Sequence, residues 1–144
     1  MSLDPEIHAA NRAATDRIRA LGERTDDELR TRVGEHWTVA ITLVHLAFWD
    51  RRSLDALQRS VEADRPVPTD LDVVVNDLSL PIWAAVPPRD AVRLALDAAT
   101  AIDELVATLQ SPLAAELLAS HVRWVRRSLH RNEHLDEAEA ALPA

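Results

Sequence analysis

Val39-Ala-Ile-Thr-Leu-Val-His-Leu-Ala-Phe-Trp49 is the stretch on which the fold turns. It is apolar on nearly every side of a helical wheel, which marks a central, buried helix rather than an amphipathic surface one. Thr38 precedes it as an N-cap. From Asp50 onward the pattern becomes amphipathic and arginine-rich, so one helix is expected over about 38–60. Ile41, His45, Phe48, Trp49 and Arg52 fall on one side of that helix. His45 is the one ionisable group in the run, and it points into the core or into a pocket cut from it.

Outward from this helix the chain reads as helices in both directions. Asp4 and Pro5 open a first helix, and Ile7, Ala10, Ala14, Ile18 and Leu21 recur at helical spacing up to Gly22. Thr25-Asp-Asp-Glu28 is a capping box that predicts a short helix ending near Gly34. Pro66, Pro68, Pro81 and Pro87 interrupt residues 61–87, with Pro88 directly after them, predicting a long crossover with a short helix or turn around Asp70–Leu80. Val73-Val-Val75 has strand propensity but no second strand to pair with. A third long helix follows Pro88, with Val92, Ala95, Ala99, Ile102, Val106 and Leu109 as its stripe, and Ser111-Pro112 is expected to end it. The fourth is expected over about 113–141, kinked near Ser120, with Leu118, Val122, Val125 and Leu129 facing the core.

Composition agrees with an all-α, single-domain chain over 1–144. Two glycines and no tyrosine stand against 24 alanines, and 47% of the residues are hydrophobic, enough for a sizeable core. The net charge of −8 argues against nucleic-acid binding. All 16 basic residues are arginine, which excludes a Schiff-base lysine. Without cysteine there is no disulfide, thiolate ligand or thiol nucleophile. The first residues lack the basic start and apolar core of a signal peptide, and the run over 39–49 is too short to span a bilayer. A cytoplasmic protein without a membrane anchor is expected.

The chemistry-bearing motif is His130-Arg-Asn-Glu-His134. Histidines four apart on a helix lie one above the other, about 6 Å along the axis. Two imidazoles can share a metal ion but need a third ligand, and His45 is the candidate. On an unbroken helix, however, the pair sits about 120° from the Val122/Val125/Leu129 stripe, at the core's edge. Arg52, Arg123 and Arg127 are the candidates to hold an anionic substrate, Trp49 to wall the pocket, and Glu133 and Glu137 to orient an imidazole. His8 and His121 read as uninvolved in metal binding.

Trp37-Thr-Val together with His45-Leu-Ala-Phe-Trp-Asp-Arg-Arg52, the crossover from Asn76 through Leu80-Pro-Ile-Trp to Pro88, and His130-Arg-Asn-Glu-His134-Leu-Asp-Glu resemble the DinB-like superfamily. That superfamily includes the metal-binding domain of mycothiol-dependent maleylpyruvate isomerases. The resemblance implies a four-helix bundle of up-down-down-up topology with the long crossover between its second and third helices. It implies three histidines holding a divalent metal, zinc or nickel. It also implies thiol-linked transferase or isomerase chemistry on a small molecule, with mycothiol, bacillithiol or glutathione as co-substrate, and a homodimer. The contrasting expectation is a non-catalytic small-molecule-binding or stress-protective bundle with a structural or vestigial metal. No Ser/His/Asp order or Gly-rich phosphate loop supplies another chemistry.

Overall fold

The computed structural model describes residues 2–144. The elements run α1 (Pro5–Leu21), α2 (Asp26–Leu29), β1 (Arg32–Val33), β2 (Trp37–Thr38), α3 (Val39–Ala63), α4 (Val75–Leu78), α5 (Leu80–Ala84), α6 (Pro88–Thr108), α7 (Leu113–Ser120), α8 (Val122–Val125) and α9 (Arg127–Ala141). The protein is therefore mostly helical, with one two-stranded hairpin. No helix among the described residues is long and apolar enough to cross a membrane.

Helix starts follow their local chemistry. The Asp4 carboxylate accepts from the Glu6 amide, and Pro5 sits where its missing N–H is no loss. The Thr25/Glu28 capping box is fully formed. Its helix stops at Leu29, short of Gly34, because residues 32–38 pair as a hairpin whose turn places Gly34 at φ 68°. That hairpin delivers Trp37 and then Thr38, whose hydroxyl accepts from the Ile41 amide and caps α3. Thr38→Ala should lower stability by about 1 kcal/mol, read as a drop in the thermal midpoint, because the first turn of a buried helix loses its acceptor.

α3 packs along α6, α6 along α1, α1 along α9, and α9 along α3. Ala91, Ala95, Ala98 and Ala99 are buried on α6, and their small side chains let the neighbouring backbones approach closely. Specific pairings fix the registers. Thr15 meets Asp103 while Arg89 reaches Gly22 and Arg24. Asn11 meets Ser128 while Arg17 reaches Glu139. His45 meets His130 and His134 while Asp50 meets Arg127 and Arg131.

The core is divided. One apolar cluster gathers Ile18, Leu21, Leu43, Leu46, Trp83, Ala95 and Leu135; the other gathers Ile7, Leu57, Ile102, Val106, Leu117, Trp124 and Val125. Between them lies a buried polar layer. Asp50 accepts from Arg127 Nε at 2.7 Å and from Arg131 Nε at 3.0 Å, and Asp50 and Arg131 are both fully buried. Arg131 also donates to Asp103 at 3.0 Å and to the Asn11 carbonyl at 3.1 Å.

The short helix expected around Asp70–Leu80 is α4, with residues 73 and 74 in the turn before it. Two expectations change. The third long helix ends at Thr108, before Ser111-Pro112. The fourth helix is broken twice rather than kinked once, at His121 (φ −139°, ψ 57°) and at Arg126 (φ −88°, ψ 71°). The Asn11 amide secures the second break, donating to the Val125 carbonyl at 2.9 Å and accepting from the Ser128 amide at 3.0 Å. With the helical register reset at these two breaks, Val122 and Leu129 lie partly exposed, outside the core. The buried face of α9 passes through Arg127, Ser128, Arg131, Leu135 and Ala138, and His130 and His134 flank it on the side of α3.

Candidate metal centre

The Nε2 atom of His45 lies 3.1 Å from Nε2 of His130 and 3.2 Å from Nε2 of His134. One ligand atom from each of the three residues lies within 4.8 Å of the others. Two helices supply them: the N-terminal third of α3 gives His45, and one turn of α9 gives the other two. The indoles crowd around. Trp37 lies 4.7 Å from the His45 ring and stacks on His134 at 5.8 Å, and Trp83 meets His45 edge-on at 5.7 Å. A pocket of about 470 Å³ opens on the cluster, walled by Trp37, Trp49, Val73 and Asn76. Trp49 Nε1 donates to Asn76 Oδ1 at 2.8 Å, which ties the crossover to α3 at the pocket wall.

Burial keeps these imidazoles neutral. Desolvation, reinforced by the neighbouring His134, lowers the His45 pKa to about 3. Desolvation and then the Arg127 guanidinium lower that of His130 to about 2. His134 is also lowered by burial, against the opposing pull of Glu137 and Glu133. Metal coordination requires the neutral ring.

Hydrogen bonding among the protein groups leaves this cluster poorly satisfied. Arg127 Nη2 can only donate, and it donates to His130 Nδ1 at 3.3 Å, so the ring proton of His130 lies on Nε2 and faces His45. The single lone pair of His45 Nε2 cannot serve two neighbouring rings well. Nδ1 of His45 and Nδ1 of His134 are buried with no partner at all. Nitrogens at about 2.1 Å from one ion lie about 3.0–3.4 Å apart for right-angle to tetrahedral geometry, which brackets the two separations from His45 Nε2. A three-imidazole cluster of this kind can hold a metal ion. Taking one up requires His130 to carry its proton on Nδ1, in competition with the Arg127 contact.

The other candidates lie around this cluster in different roles. Arg127 is buried and paired with Asp50. Arg123 is half-exposed and bridges Glu133 at 3.3 Å, which engages that carboxylate away from the imidazoles. Glu137 makes no hydrogen bond to a ligand ring, although its charge acts on His134. Arg52 stands between Trp49 and Trp124. His8 and His121 lie outside the cluster. Sequence reading passed over Asp50, Arg131 and Asn11. The signal for the first was present: Leu43, Leu46, Asp50, Ser53 and Leu57 form one helical stripe, which places a carboxylate in the core.

In the metal-free protein, stability should fall as pH drops from 7.5 to 5.5. The folded-state pKa values of His45 and His130 lie below the usual value of 6.5, so the unfolded chain binds more protons in this window. Stability is then greatest above pH 6.5 and is lost on acidification, by roughly 3 kcal/mol for the two together over these two pH units. Urea unfolding after EDTA treatment measures it, and a flat response would contradict burial of neutral rings.

Compared with protein-family models, with curated proteins and with solved structures, the chain matches none. Fold and site by themselves define a mostly helical protein with a three-histidine cluster able to hold a metal ion.

Proposed function

We propose that this is a divalent-metal protein of the DinB-like type, acting as a thiol-dependent transferase or isomerase on a small molecule. The convergence of the three Nε2 atoms carries the reading. The helix pairings support the finer topology. Numbering rises together along α1 and α9, and in opposite senses along α1 and α6 and along α3 and α9, as an up-down-down-up bundle requires. Residues 64–87 are then the crossover.

His45, His130 and His134 hold the ion, zinc or nickel. When bound, it acts as a Lewis acid that lowers the pKa of a coordinated thiol or water. The chain has no cysteine, so the thiol is a small co-substrate of the mycothiol type. Trp37, Trp49 and Trp83 exclude water around the imidazoles, which strengthens every charge interaction there. Three protein ligands would leave a coordination position open to the reacting molecule. A cytoplasmic location accords with this thiol chemistry.

One observation favours the alternative of a non-catalytic binding protein with a structural or vestigial metal. Beyond its imidazoles, the pocket wall of Trp37, Trp49, Val73 and Asn76 offers no carboxylate or hydroxyl for acid–base work. Protein purified without a polyhistidine tag decides between the two. The enzyme reading expects about one divalent ion per chain and metal-dependent consumption of a thiol in the presence of a small electrophile. A stoichiometric ion without thiol chemistry would favour the alternative, and absence of any ion after zinc or nickel reconstitution would refute both metal readings.

A further inference from the structure

A second pocket, of about 400 Å³, lies against the first and shares Trp49 and His130 with it as a common wall. Helix breakage creates it. The chain departs from helical geometry at His121, and α8 turns Val122, Arg123 and Trp124 toward α3. Three arginines, Arg52, Arg123 and Arg127, line it, and no carboxylate does. In a chain of net charge −8 that is a local reversal of sign.

The three guanidiniums are not equivalent. Arg127 is committed to Asp50, and Arg123 to Glu133. Arg52 has no carboxylate within ion-pair distance among the described residues. Its Nε donates to the Thr69 carbonyl at 2.9 Å, and neither terminal nitrogen has a protein partner among the described residues. The guanidinium carbon lies 5.9 Å from the Trp49 ring and 5.7 Å from the Trp124 ring, so indoles hold it on two sides. A fork held in this way has little rotamer freedom left to lose when it binds.

We infer that this pocket is a binding site for a small molecule with a carboxylate at one end and a flat apolar body. Arg52 is the anchor for the carboxylate, in the paired geometry that guanidinium and carboxylate share. Trp49, Trp124 and Val122 cover the apolar body. The ligand's other end lies toward His130 and the histidine cluster; that orientation rests on the proposed metal centre, whereas the Arg52 anchor does not.

Benzoate is the minimal probe, with benzamide as its uncharged counterpart. Binding is followed by calorimetry and by NMR shifts of the Trp49 and Trp124 indole N–H groups, in zinc-loaded and in EDTA-treated protein. Benzoate should bind at least tenfold more tightly than benzamide, and Arg52→Gln should weaken benzoate by about tenfold or more, the expected loss for a charge-assisted pair. Arg52→Lys should recover part of that loss. Val122→Glu adds a like charge at a half-exposed wall position and should weaken benzoate too, even if Arg52→Gln fails to fold. Arg93→Gln, at an exposed residue that does not line the pocket, should change nothing.

Benzoate affinity unchanged in both Arg52→Gln and Val122→Glu would overturn the proposal, as would no binding at millimolar benzoate. Binding that needs zinc but ignores Arg52 would place the carboxylate on the metal and equally overturn it. Arg52-dependent binding in protein that takes up no zinc would support the anchor while removing the metal reading.

Discussion

Asp50→Asn should lower the unfolding free energy by about 3–5 kcal/mol, the usual consequence of removing one member of a buried ion pair. In a chain of this size that is on the order of 10 °C in melting temperature. The side chain keeps its shape, so the effect isolates charge. Asp50 is the carboxylate between two buried guanidiniums, and without it Arg127 has no acidic partner, while Arg131 keeps only the partly exposed Asp103. Arg93→Gln, which breaks an exposed pair with Asp90, provides the contrast and should cost no more than about 1 kcal/mol. Chemical denaturation of both variants measures the difference. An Asp50→Asn protein as stable as the parent would mean that the layer between the two apolar clusters is hydrated rather than sealed.

His45→Ala and His134→Ala should each reduce zinc or nickel affinity by more than about a hundredfold. Loss of an outer partner of a metal ligand alone costs 10–100-fold, and loss of the ligand itself costs more. His45 is the sole contribution from α3, so its removal leaves only the pair on one turn of α9. His8→Ala and His121→Ala should leave affinity unchanged, since neither belongs to the cluster. Competition with a chromogenic chelator resolves these differences. Equal metal content in all four variants would sink the assignment of the three imidazoles. His45→Ala should not unfold the protein, because it removes a buried ring whose Nδ1 has no partner, and that relief offsets part of the lost packing.

Much of the architecture was written locally. The helix over 39–63 was legible because an apolar run behind a threonine cap has few other solutions. The first helix and the third long one were legible from single stripes and from proline at their starts. The hairpin at 32–38 was not, since two-residue strands leave no periodicity to read. Nor was the double break in the last helix. Residues 113–141 contain no glycine and only one proline-flanked start, so propensity alone favours a continuous helix. The break at Arg126 is secured by Asn11, more than a hundred residues earlier, whose amide satisfies the interrupted backbone.

The candidate site shows the same division. Sequence determined that three histidines were available, that two shared a helix face, and that the third lay in a buried run, because these follow from residue identity and helical period. It left open how the 130/134 pair could reach the core, since an unbroken helix turns it toward the edge. Only tertiary structure decided that. Opposed pairing of α3 and α9 sets the height at which the rings meet, and the reset at Arg126 sets their angle. The buried Asp50–Arg127–Arg131 layer then holds both helices in that register, because sliding one past the other would strand a charge in the core.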